Sequence, residues 1–204
     1  MFDLLKSLDA EIKKNKLGGS LPPPYVTSSG FDVIDIMNGT RDPETGKILA
    51  GFAESKIVGI IGKSGSGKTG LAIQISNNIC HDEFGHLIPN SSLFHIDAEG
   101  STERARIKTL TRKNQEQLDK YYRLINDNNV NTENLMKMVD VICTTKEENR
   151  KDLEMEIIDR NGDKYRILPP TVILIDSIAA LNTTAENEAD DLGHNLLAAQ
   201  NAKA

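Results

Sequence analysis

The stretch Gly62-Lys63-Ser64-Gly65-Ser66-Gly67-Lys68-Thr69 matches the pattern G-x-x-x-x-G-K-[ST] at every fixed position, and it limits the possible folds more than any other part of the chain. The pattern needs a strand before it and a helix after it. Lys56 to Ile61 is apolar and β-branched, which predicts a buried strand, and Leu71, Ala72, Ile75 and Ile79 then share one helical face. In that order the glycines let the backbone curl so that successive N–H groups point inward. The positive end of the helix dipole faces the same hollow. A polyphosphate fits such a hollow, with Lys68 along the β- and γ-phosphates and the Thr69 hydroxyl on a bridging Mg²⁺. A plain glycine-rich turn ahead of a helix is the alternative, and the complete pattern in strand, loop, helix order argues against it.

The length of 204 residues suits one domain with a substantial core plus a short arm. Apolar residues make up 38% and there is no Trp, so the core is expected to rest on Ile, Leu, Val and Ala. The net charge of −6 argues against a protein that coats nucleic acid by bulk charge, while leaving room for a local basic strip. Cys80 and Cys143 lie in apolar stretches without a CxxC partner, and read as buried thiols of a reducing cytosol. No run approaches the roughly 18 apolar residues of a membrane span, and the N-terminus has no signal-peptide core. A soluble, cytoplasmic protein is the expectation.

Residues 1 to 17 place Phe2, Leu5, Leu8 and Ile12 at helical spacing, with Lys6, Glu11, Lys13, Lys14 and Lys16 opposite. Gly18-Gly19-Ser20 ends this helix and Pro22-Pro23-Pro24 follows as a stiff spacer. Residues 1 to 24 thus form an arm whose apolar face either meets a partner or packs back on its own domain, and residues 25 to 204 form the core. From Asn38-Gly39 to Thr45-Gly46 a loop leads toward the phosphate motif. Ser28-Ser29-Gly30-Phe31-Asp32-Val33-Ile34-Asp35, Gly51-Phe52-Ala53 and Ile57-Val58-Gly59-Ile60-Ile61-Gly62 together resemble the lead-in of RecA-type recombinases.

Ser92 to Ala98 predicts the second strand, with Glu99 at its carboxyl end, where open α/β sheets bind ligands. Phe94-His95-Ile96-Asp97-Ala98-Glu99 strengthens the resemblance, which implies that Glu99 orients the water attacking the γ-phosphate. The resemblance also puts Arg106 near the adenine. Thr102 to Tyr122 reads as one charged helix, residues 126 to 134 as a polar turn and Val139 to Cys143 as a third short strand. Met155 to Asp159 and Lys164 to Leu168 flank Asn161-Gly162, a hairpin signal that pairs Asp159 with Lys164, Ile158 with Tyr165 and Met155 with Leu168. The family has a helix there, so the resemblance implies that the hairpin is a lineage-specific insertion. Thr171-Val172-Ile173-Leu174-Ile175-Asp176 is a buried strand ending in an acid, the Walker B arrangement, with Asp176 placed to bond a Mg²⁺-bound water.

Ser177 to Asn182 and the acidic loop through Glu186, Glu188, Asp190 and Asp191 also resemble the family, whose first DNA-facing loop lies there; its acidity argues against phosphate contact by this loop alone. The implied fold is α/β, a RecA-like P-loop NTPase core with a mostly parallel sheet flanked by helices, an inserted β-hairpin and an N-terminal helical arm. A helix from Asp190 runs to Ala204, where the chain is expected to be cut before a central strand, so that Lys56 to Ile61 and Thr171 to Asp176 should not pair directly. A second chain would complete it. The resemblance implies an ATP- and Mg²⁺-dependent recombinase of phage type that forms a filament on single-stranded DNA through its N-terminal helix. A ring helicase motor and a nucleotide-binding module without turnover are the alternatives.

Overall fold

The computed structural model describes residues 25–41, 48–126, 130–159, 162–181 and 183. The expected arm of residues 1 to 24, the acidic loop of Glu186 to Asp191 and the closing helix lie outside these residues.

The lead-in folds as β1 (Val26–Thr27), α1 (Asp32–Asn38), β2 (Thr40–Arg41), β3 (Ile48–Leu49) and β4 (Phe52–Ala53), with β1 antiparallel to β4 and β2 to β3. Its fixed point is Asp35, fully buried, whose carboxylate accepts the Ser28 hydroxyl at 2.6 Å and the Ser29 N–H at 2.7 Å. Burying a carboxylate is costly without such donors. The Asn78 amide donates to the Ser29 carbonyl at 2.8 Å and ties this unit to the helix after the phosphate motif. Gly30 makes that approach possible, since a Cβ there would lie 2.1 Å from Asn78 Nδ2 and its φ is +79°.

Then follow α2 (Lys68–Ile79), β5 (Ser92–Asp97), α3 (Arg104–Thr111), α4 (Gln115–Leu118), β6 (Tyr122–Ile125), α5 (Thr132–Glu148), α6 (Arg150–Leu153), β7 (Met155–Ile158), β8 (Lys164–Ile167) and β9 (Thr171–Asp176). Three strands form a parallel sheet in the order β6-β5-β9. Ile73 of α2 and Cys80 just after it pack with Leu93, Ile107, Leu118, Tyr121 and Tyr122 as the core between sheet and helices. The architecture is α/β, a parallel sheet flanked by helices, compatible with a P-loop-type core. No helix among the described residues is long and apolar enough to cross a membrane.

Several sequence expectations are corrected. Residues 56 to 61 form no strand: Ile57 is 99% and Ile61 97% exposed, and no backbone hydrogen bond from the described residues reaches the segment. A strand exists through its ladder, and β9 pairs only with β5 among the described strands. The two segments therefore do not pair with each other. The helix expected over Thr102 to Tyr122 breaks at Arg112, which takes a left-handed φ of 55°; Asn114 and Gln117 then form a capping box that starts α4 afresh. The third strand is Tyr122–Ile125, and Val139 to Cys143 lies inside α5. Leu135, Met138, Val139, Ile142 and Lys146 are the partly covered positions there, a helical period, and the Asn131 side chain caps the first turn by accepting the Asn134 N–H at 2.8 Å. Cys80 is buried as expected, which pushes its thiol up to about 12, but Cys143 on α5 is exposed.

The hairpin forms one residue out of the expected register: Ile158 faces Lys164, Ile157 faces Tyr165 and Met155 faces Ile167. Its turn holds three residues, with Gly162 at φ +82° and the Asp159 N–H donating to the Asp163 carbonyl at 2.9 Å. The slip gives Lys164 to Glu156, at 2.8 Å, in place of Asp159. The Tyr165 ring meets that of Tyr25 at a tilt of 56° with ring centres 5.6 Å apart, which holds the hairpin against the lead-in.

Candidate nucleotide-binding site

The phosphate motif curls as the pattern requires. Gly65 and Gly67 take φ of +75° and +88°, angles that side chains rarely adopt, and Gly67 is the cap residue from which α2 starts. Residues Gly62 to Gly67 are exposed, so their backbone groups are open to an incoming anion. The Lys68 ammonium folds back onto the Lys63 carbonyl at 2.9 Å, across the mouth of the loop.

The parallel sheet brings the acids to this loop. β5 and β9 run in register from Ser92↔Thr171 to Asp97↔Asp176, so both strands end together. Asp176 Oδ2 accepts the Thr69 hydroxyl at 2.6 Å, a contact between residues 107 apart in sequence. The next residue, Ser177, donates its hydroxyl to Glu99 Oε1 at 2.9 Å, and the Ala98 N–H donates to the Asp176 carbonyl at 2.9 Å. Thr69, Asp176, Ser177 and Glu99 therefore form one connected line at the carboxyl ends of the strands. The peptide between Asp176 and Ser177 is cis.

Three further side chains join this cluster that sequence reasoning does not single out. Asp97 is 3% exposed, with one oxygen taking the Thr102 N–H at 2.7 Å. His95, fully buried two residues earlier on the same face, shares a 2.7 Å hydrogen bond between its Nδ1 and the Tyr122 hydroxyl. Burial holds its pKa below the ordinary histidine value, with Asp97 and Asp176 pulling the other way. His95 Nε2, Asp97 Oδ1 and Thr102 Oγ1 are buried without a hydrogen-bond partner. The signal was in the alternation: Leu93, His95 and Asp97 share one strand face, and two polar residues continue a buried apolar row.

Of the residues expected at the site, Gly62 to Thr69, Glu99 and Asp176 converge. Arg106 does not join them: it is exposed on α3, and no hydrogen bond or ion pair among the described residues ties it to the cluster. Two cavities of about 300 and 700 Å³ lie elsewhere, one beside α4 and β6, the other between the lead-in, residues 81 to 89 and β7.

Comparison with protein-family models, curated proteins and solved structures finds no match to this chain.

Proposed function

We propose that the chain is the nucleotide-binding core of a RecA-type ATPase acting as a DNA recombinase, with Gly62 to Thr69 as the phosphate cradle. The observation that carries this reading is the 2.6 Å hydrogen bond from Thr69 to Asp176, which joins the phosphate loop to the acid-ended strand. A hydroxyl and a carboxylate side by side are oxygen donors suited to Mg²⁺, which when bound neutralises charge on the β- and γ-phosphates. Thr69 and Asp176 would hold that ion. The N–H groups of Ser64 to Thr69 and the Lys68 ammonium, once turned from the Lys63 carbonyl, stabilise charge on the transferring phosphoryl group. Glu99 orients the attacking water and takes its proton, and the Ser177 hydroxyl fixes one oxygen of that carboxylate. The resemblance in the lead-in, at Phe94 to Glu99 and after Asp176, supports single-stranded DNA and further copies of the chain as partners.

The test is ATP turnover with and without single-stranded DNA. Stimulation by DNA together with filaments supports a recombinase, whereas rings support a helicase motor. Lys68→Ala should lower turnover by at least about 100-fold. Glu99→Gln should keep ATP binding and lose about 100-fold or more in hydrolysis, and normal hydrolysis by this variant would remove Glu99 from its role. One observation favours a second reading, a module that binds nucleotide without turnover: residues 56 to 61, which carry the loop, are held by no ladder. Tight ATP binding with no hydrolysis, with or without DNA, supports it.

A further inference from the structure

The buried end of β5 has more acid than the reading above uses. Asp97 and Asp176 are register partners on adjacent parallel strands, so their side chains rise from the same face of the sheet, at neighbouring positions about 5 Å apart. Asp176 is engaged by Thr69, and Asp97 by the Thr102 N–H through one oxygen. The second oxygen of Asp97 is buried and unpartnered. Among the described residues no cation bonds to either carboxylate: the Lys68 ammonium turns to the Lys63 carbonyl. Two carboxylates side by side at the edge of a buried layer are costly unless a positive group joins them.

The orphaned atoms show what kind of group fits. Asp97 Oδ1 accepts, and His95 Nε2 and Thr102 Oγ1 each have hydrogen-bonding capacity to spare; all three atoms are buried, and Asp97 is the register partner of Asp176. Such a set suits a hard divalent ion that keeps part of its water shell, because coordinated waters donate strongly and bond to carboxylates around the ion. No set of three His, Cys, Asp or Glu side chains among the described residues converges closely enough to ligate a metal directly.

We propose that Asp97 is a positioning residue for the divalent cation of the nucleotide site, holding the ion's water shell from the side of β5 while Thr69 and Asp176 hold it from α2 and β9. The proposal rests on the nucleotide-site reading above and adds to it a residue and a role.

The test uses the whole chain with Mn²⁺ as the probe, read by electron paramagnetic resonance of free Mn²⁺ with ADP present, and by thermal melting with Mn²⁺ alone. Asp97→Asn keeps the shape and the acceptor for the Thr102 N–H while removing the charge. The variant should weaken Mn²⁺ about 10-fold or more. It should also melt at or above the wild-type temperature without metal, because the carboxylates no longer face each other, and below it with Mn²⁺. That reversal separates a cation role from a structural one. Unchanged Mn²⁺ affinity, or a lower Tm without metal and the same affinity, overturns the proposal. If the wild type binds neither ADP nor Mn²⁺·ADP, the nucleotide reading itself fails; if it binds both and the variant does too, only the role of Asp97 fails. Should the variant not fold, the wild type decides: Mn²⁺ alone must raise its Tm where NaCl of equal ionic strength does not, and no difference overturns the proposal.

Discussion

Thr171 to Asp176 and Lys56 to Ile61 are both short, apolar and rich in β-branched residues, and each runs into a turn that carries site residues. Their fates differ. β9 takes six register pairs with β5 and lies half-buried throughout, whereas residues 56 to 61 are exposed and belong to no sheet. Intrinsic preference is equal in the two, so the difference comes from pairing: a strand is stabilised by cross-strand neighbours and by the layer packed on its faces. The lesson for the site is that Asp176 is positioned by a ladder and by Thr69, while the loop is positioned mainly by α2 behind it.

The sharpest way to break this comparison is to weaken each side by the same chemistry. Leu93 of β5, paired with Val172 of β9, is fully buried in the core. Leu93→Ala should cost about 2–5 kcal/mol in urea unfolding, from lost transfer energy and the cavity left behind. A cost below about 1 kcal/mol would mean that the β5–β9 layer is no better packed than residues 56 to 61.

A smaller effect comes from pH, at the far end of the helix that carries the loop. His81 is buried after α2, donates from Nδ1 to the Asn77 carbonyl at 2.7 Å and meets Tyr121 edge-on, with Lys113 and Asp82 as its charged neighbours. Burial, more than Lys113, lowers its pKa below the ordinary value of 6.5. The unfolded chain then binds the extra proton first as pH falls, so this contribution is full above about pH 6.5 and is lost below it. The urea midpoint should drop between pH 7.5 and 5.5, and His81→Gln should shrink that drop. An unchanged drop removes His81 as its cause.

The hairpin is a third case that sharpens the contrast, because it brings its own partner strand. Gly162 sits in the left-handed region with open space around it, so Gly162→Ala meets backbone strain and no clash. The expected cost is about 1 kcal/mol, read by urea unfolding. No cost would mean that the turn has another conformation in solution.

How much of this was legible follows the same division. The phosphate motif, α2, β5, β9 and the hairpin's existence depend on local pattern, and all five are where the residues put them. What failed was whatever depended on partners or on one residue's geometry. Arg112 at positive φ splits a helix whose apolar spacing runs on without a break, and Tyr122 to Ile125 becomes a strand because β5 lies ready to pair with it. A turn of three residues instead of two moves the hairpin register by one, which alternation alone does not resolve. In the candidate site, Thr69 and Asp176 stand in sequence motifs and Glu99 in the resemblance, but the link through Ser177 and the buried acid at Asp97 depend on two strand ends arriving together.

The smallest expected effect tests the other side of the opening comparison. Ile57 is 99% exposed, so replacing it by Ser removes no buried area and leaves no cavity. Folding stability should change by less than about 0.5 kcal/mol, although isoleucine to serine at a buried central strand is among the harsher changes a sheet can suffer. Ile61→Ser should behave alike, being 97% exposed. Amide exchange across residues 56 to 61 should be fast in the chain alone, since no backbone bond among the described residues protects them. If Ile57→Ser instead costs about 2 kcal/mol or more, or if these amides are protected, then the segment is covered in solution and pairs as β9 does. The contrast between the two stretches would then lie in the order of assembly and not in the final fold.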